Sequence, residues 1–261
     1  MIEVLLLAAV FQTSLAVALS FLGRAGQGGA AFINACIQAP GLDIVLGLFT
    51  WIPWFVFAGA FGWRGLVGCV AGQVAGLYGW VAVHEVAHRE FLAGPRIVKV
   101  LNKTVGRWQN HLALWVSVLA LPSFLSIRLA EVVVYPLLVA LLRFPKYDQA
   151  QWVNVSRQKF TGLVGHDLIW CLYCDWMTGV YSLGAEMLRN VESFWCPIRF
   201  YDGKKCDNCK MDFPDIDGGW VDANGTMQQV ADKLETMYSG DGDRAWFGHP
   251  VRLTVKGKDA R

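Results

Sequence analysis

Side chains able to bind metals or move protons cluster at two places in this chain. The first is His84-Glu85-Val86-Ala87-His88. An H-E-x-x-H string on a helix puts two imidazoles on one face, where they can share one Zn²⁺ with a carboxylate beside them as general base. That makes His84 and His88 the ligand candidates and Glu85 the catalytic candidate. A pair of interfacial histidines at a helix end is the plainer alternative. The second place is a run of thiols: Cys171-x2-Cys174, Cys196-Pro197 and Cys206-x2-Cys209. Four thiolates can close a tetrahedron, so Cys171, Cys174, Cys206 and Cys209 are expected to share one structural zinc, with Cys196 close by. A Cys-Pro between the pairs also admits an iron–sulfur cluster. A C-x-x-C starting an apolar helix also suits a redox dithiol. His166, beside Asp167, is a candidate to replace one thiolate. Cys36 and Cys69 fall in or near apolar segments and are expected to be small fillers.

HEVAHRE resembles the first histidine box of membrane di-iron hydroxylases and desaturases. Those families draw on several such boxes. This chain has only His84, His88, His111, His166 and His249, too few to complete the set. HEVAH also resembles the active-site helix of site-2-type intramembrane zinc proteases. Those usually place Gly before the second His, where this chain has Ala87. Their P-x-x-D-G motif opens a later membrane helix, whereas Pro214-Asp215-Ile216-Asp217-Gly218 lies in a polar stretch. Each resemblance covers a few residues, and neither family is claimed.

The elements that must carry these groups are strongly apolar. The chain has 261 residues, 54% hydrophobic and 17% charged, with 12 Trp and 15 Phe, and a mean hydropathy of +0.36. That composition excludes a disordered chain, a collagen and a coiled coil, and argues against an ordinary soluble enzyme. Charge is uneven: residues 1–145 hold nine of the 23 Lys/Arg and five of the 21 Asp/Glu. No basic stripe suggests nucleic-acid binding. The expectation is a mostly α protein. A helical membrane half, 1–145, of three to five spans precedes a small α+β Cys-rich soluble domain, 146–261.

Three runs predict spans: 4–22, 44–62 and 65–87, the last two separated by a tight turn at Trp63 and Arg64. The first lacks a charged n-region and reads as a retained anchor. Residues 112–144 would span roughly 50 Å as one helix, too long for a hydrocarbon core of about 30 Å. Two short spans or a re-entrant hairpin fit better. Arg128 and Glu131 can pair at i,i+3, and the reading preferred for them is a snorkelling Arg and an interfacial Glu. On the 65–87 helix, Gly68, Gly72 and Gly76 share a face with Trp80, His84 and His88. A glycine stripe predicts close approach by another helix, in cis or from a partner subunit, and not by lipid.

The loop at 89–107 carries Arg89, Arg96, Lys99, Lys103 and Arg107 against Glu90 alone. It is expected to be cytoplasmic, which puts the C-terminal half there too if 112–144 crosses twice or re-enters. The bilayer, an inner or plasma membrane, is the expected partner. In the C-terminal half, 195–201 and 251–255 are read as strands. Thr226-x-x-Gln229 is read as a capping box before a short helix. Three functions fit: a membrane metalloprotein whose zinc domain serves assembly or interaction, an intramembrane metal-dependent hydrolase using HEVAH, and a thiol or iron–sulfur redox protein. The first requires least.

Overall fold

A computed structural model describes residues 1–23, 25–205, 207, 219–238 and 244. The described residues are helical, with no strand and only two isolated bridges, Gln38–Asn154 and Ile198–Val221. The helices are α1 (Ile2–Leu22), α2 (Gly26–Cys36), α3 (Gly41–Phe49), α4 (Trp51–Ala87), α5 (Ile97–Val105), α6 (Arg107–Val118), α7 (Leu121–Leu129), α8 (Tyr135–Leu142), α9 (Gln149–Trp152), α10 (Gly165–Trp195) and α11 (Met227–Tyr238). The chain divides into two compact units. One comprises Met1–Leu121 with Gln149–Gly179, the other Pro122–Asp148 with Val180–Arg261. Three stretches are long and apolar enough to cross a membrane: Ile2–Leu22, Gly41–Ala87 and Arg107–Leu142.

In the first unit, α4 is two helices joined at Gly62, whose φ of +62° is left-handed backbone that favours glycine. The break falls one residue before the predicted turn. The arm before it folds back along the arm after it. Trp54 donates its indole N–H to Gln73, and Trp54 and Phe57 pack on the Val4, Ala8 and Cys69 core. Cys69 is fully buried there, the apolar filler expected of it.

The glycine stripe meets α1. A Cβ on Gly68 would lie 3.0 Å from the Met1 carbonyl, one on Gly72 2.8 Å from Ala8 Cβ, and one on Gly76 2.8 Å from Gln12 Oε1. The expected helix neighbour is therefore supplied in cis.

The chain breaks again at Thr50, between α3 and α4. In an apolar setting, carbonyls freed by a break need partners from the protein. Gln73 Nε2 donates to the Phe49 and Thr50 carbonyls at 3.1 and 3.0 Å, and Gln12 Nε2 reaches Phe49 O at 3.5 Å. One glutamine thus serves both arms of the hairpin.

In the second unit, Arg128 and Glu131 are not snorkelling. They are 5% and 2% exposed and pair at 2.6 Å. Both charges are desolvated there, and their mutual attraction offsets part of that cost. Glu131 lies in a π-helical turn, Ala130–Val134, which rejoins α8. Nearby in sequence, Tyr135 and Tyr147 share the side-chain amide of Asn190 at 3.2 and 2.6 Å. Burial pushes the Tyr147 hydroxyl well above the usual tyrosine range.

The small α+β domain is corrected. Residues expected as a strand at 195–201 begin inside α10, which runs to Trp195. Only Ile198 bridges, with Val221 accepting from Arg199 N–H and donating to Pro197 O. Pro197 has no N–H, so it cannot donate to a ladder. The expected strand at 251–255 lies outside the described residues. The capping box is as read. Thr226 N–H donates to Gln229 Oε1 at 2.8 Å, and Gln229 N–H to Thr226 Oγ1 at 3.3 Å, at the start of α11.

A candidate site around α10 and the end of α4

The chemistry-bearing residues of the first unit meet where α4 ends, α5 begins and α10 begins. Arg96 is the hub. It precedes α5 in extended backbone, the usual conformation of a residue just before a helix. Its guanidinium donates to Glu85 Oε1 at 2.7 Å, to Asp167 Oδ2 at 3.2 Å and to the Val164 carbonyl at 3.2 Å. The Arg96 and Asp167 side chains are 7% and 5% exposed. One cation therefore ties carboxylates from α4 and α10. Asp167 also accepts the Val98 N–H at 3.0 Å, an acid at the open end of α5.

Glu85 accepts the His166 N–H as well, at 3.2 Å. The Gly165 N–H donates to His84 Nδ1 at 3.2 Å. Gly165 has φ +52°, and a Cβ there would run into the Glu85 side chain. So the first backbone N–H groups of α10, orphans in any helix, are capped by the HEVAH segment.

The four described histidines stand in two pairs. The His84 and His88 rings stack with centroids 4.2 Å apart, and Trp80 lies 4.7 Å from His84. His111, from α6, lies 5.2 Å from His166. Trp170 donates its indole N–H to His166 Nε2 at 3.1 Å, which leaves the proton of a neutral ring on Nδ1, 3.7 Å from Asp167 Oδ1. His84 and His88 are together, as their spacing predicts. Glu85 Oε1 accepts from Arg96 and the His166 N–H, and His84 Nδ1 from the Gly165 N–H, so Glu85 here is the partner of a buried cation. Among the described residues no three His, Cys, Asp or Glu side chains are arranged to hold a metal ion.

One turn further along α10 are Cys171 and Cys174, free, half-buried and i,i+3 on one face. Arg157 lies near enough to both thiols for its charge to act on them. Its position comes from Asp175. That carboxylate accepts the Ser156 and Arg157 N–H groups at 2.7 and 3.1 Å and lies 3.9 Å from the guanidinium. Burial pushes the Cys171 thiol up, against the pull of Arg157. Cys196 is exposed and follows α10, in the second unit. Cys206, Cys209 and His249 lie outside the described residues.

Residue type and spacing do not mark Arg96, Arg157, Asp175 or Gly165 as site residues; Arg96 and Arg157 read only as basic charge that orients the membrane half. The local signals present are Gly94-Pro95 before Arg96 and Gly165-His166-Asp167 opening an apolar helix.

Asp167 carries a pH dependence. Burial raises its pKa, but His166, the Val98 N–H and Arg96 together outweigh burial and hold the carboxyl below its ordinary value of 3.8. A lowered folded value means stabilisation that is fully present above the unfolded value and lost as pH falls through the folded one. Thermal unfolding of the detergent-purified protein should show an acid limb below about pH 4 that Asp167→Asn makes shallower. The same acid limb in the Asn variant would contradict this assignment.

Comparison with protein-family models, curated proteins and solved structures finds no match.

Proposed function

We propose that this chain is an integral membrane protein of thiol–disulfide redox chemistry, with Cys171 and Cys174 as its dithiol. The observation that carries this reading is Arg157, fixed by Asp175 beside the two thiols. Its charge pulls toward thiolate, the form that attacks a disulfide, against the burial that raises Cys171. The i,i+3 spacing leaves the two Cα atoms about 5 Å apart on a helix, within the range a disulfide bridges.

In the exchange, one thiolate attacks a sulfur of a partner protein's disulfide, and the partner's other sulfur leaves as thiolate. The second cysteine, deprotonated, then attacks the mixed disulfide and releases the partner as a dithiol. Two electrons and two protons pass to the partner. Asp167, one turn before Cys171, and His166 are polar groups beside this path. The basic loop at 89–107 supports placing this side of the membrane in the cytoplasm.

The test is a redox titration of the purified full-length protein in glutathione buffers, read by mass-tagging of free thiols and peptide mapping. A reversible Cys171–Cys174 disulfide is expected. Arg157→Gln should slow thiol labelling at neutral pH by roughly a few-fold, the modest effect of a partly exposed cation. Thiols that stay free across the titration would overturn the reading.

A shared zinc on Cys171, Cys174, Cys206 and Cys209, serving assembly, is the second reading, favoured by the two thiols on one helix face. One equivalent of zinc, lost in Cys171→Ser, would establish it in place of the dithiol. Visible sulfide-to-iron absorption would instead assign an iron–sulfur cluster.

A further inference from the structure

Helix α5 links two candidate spans, since α4 ends at Ala87 and the next apolar stretch begins at Arg107. Eight of its nine residues sort into three sides, and the ninth, Thr104, lies on the apolar side with its hydroxyl donating to the Val100 carbonyl at 3.0 Å. Val98 and Asn102 face the protein. The Val98 N–H is bound to Asp167, and Asn102 Oδ1 accepts from Asn110 at 2.9 Å. Ile97, Val100, Leu101 and Val105 form an exposed apolar side, Val100 at 56%. Lys99 and Lys103 form a basic edge, with Arg107 just beyond, and the helix holds no acidic residue. Trp108, the next aromatic, is 83% exposed.

An exposed apolar stripe with flanking cations and an interfacial Trp is the signature of a helix lying in the membrane plane. The chain on either side keeps α5 at the bilayer surface, so the leaflet is the surface available to that stripe. We infer that α5 lies in the headgroup region and binds anionic phospholipid through Lys99, Lys103 and Arg107. Its apolar side enters the acyl boundary, while Arg96 and Asp167 fix its inner side. The charge complementarity selects an anionic leaflet over a zwitterionic one, because each basic side chain near the surface adds attraction to negative lipid. This reading is independent of the dithiol.

The test uses full-length protein reconstituted in vesicles of equal parts phosphatidylcholine and phosphatidylglycerol. Spin-labelled phosphatidylglycerol and spin-labelled phosphatidylcholine are compared by their protein-immobilised fractions. The wild-type protein should favour the anionic label, and the triple variant K99Q/K103Q/R107Q should lower that preference at least about threefold. The charge-preserving K99R/K103R/R107K variant should keep it. Added salt should weaken the wild-type preference, a readout that needs no variant. Equal association of the two labels with the wild-type protein would overturn the inference. So would an unchanged preference in a folded triple Gln variant.

Discussion

Arg96→Ala is expected to be the most damaging single change in the first unit. It removes one cation from between two carboxylates. Asp167 would be left 5% exposed with only its Val98 N–H and His166 contacts, and Glu85 with the His166 N–H alone. Breaking a buried pair by removing one partner typically costs about 3–5 kcal/mol, because the remaining charge is buried without compensation. The double replacement Arg96→Met with Asp167→Leu should cost less than Arg96→Ala, since the carboxylate then left without the cation is Glu85, 24% exposed, and not the more deeply buried Asp167. Thermal unfolding in detergent, followed by circular dichroism, checks both. If Arg96→Ala unfolds like the wild type, the clamp does not hold α4, α5 and α10 together.

Gln73→Leu is expected to have the next largest effect. Its side-chain amide donates to the Phe49 and Thr50 carbonyls and accepts from Trp54. Leucine would fit the volume and leave those three groups without it, in a stretch whose neighbours are apolar. Unpaired peptide groups in such a setting cost about 1–3 kcal/mol each by mutational measures, and more in hydrocarbon. Gln12 still reaches Phe49 O, so a loss of about 3 kcal/mol is the expected order. Trp54→Phe, which removes the donor and one ring of the indole packed on the Val4, Ala8 and Cys69 core, should cost about 1–2 kcal/mol. The measurement is reversible unfolding in mixed micelles. A Gln73→Leu protein as stable as the wild type would mean that the break at Thr50 is satisfied by other groups.

Both expectations rest on residues whose roles the sequence left unmarked, in contrast to the glycine stripe. The glycine stripe of α4 was readable because period and residue size act locally. Four-residue spacing puts Gly68, Gly72 and Gly76 on one face whatever else the chain does, and only a close neighbour explains three missing side chains there. The hairpin turn was readable for the same reason, and its shift by one residue to Gly62 reflects the left-handed φ that the turn requires. Gln73 gave no such signal. One glutamine in an apolar helix becomes informative only once the broken carbonyls at Phe49 and Thr50 are known to lie beside it.

The expected strand at 195–201 failed through a competition that alternation does not weigh. The helical rhythm of α10 runs through Trp195, and Pro197 cannot donate to a ladder. The preferred snorkelling of Arg128 failed because the side chain's surroundings, and not its depth in the run, decide whether it reaches water. Within one unit it found Glu131 one turn away and a buried setting for both.

By itself the sequence determined the apolar helices, their glycine face, the proximity of His84 to His88, and the capped helix at Met227–Tyr238. All of these follow from composition and from contacts within about four residues. Tertiary structure alone decided which charges far apart in sequence pair in the first unit. Glu85, Arg96 and Asp167 are separated by 11 and 71 positions, and Arg157 and Asp175 by 18. Desolvation makes an unpaired charge costly, so each buried charge takes whichever opposite charge the fold brings near. That choice depends on which helices pack together, and no local spacing encodes it.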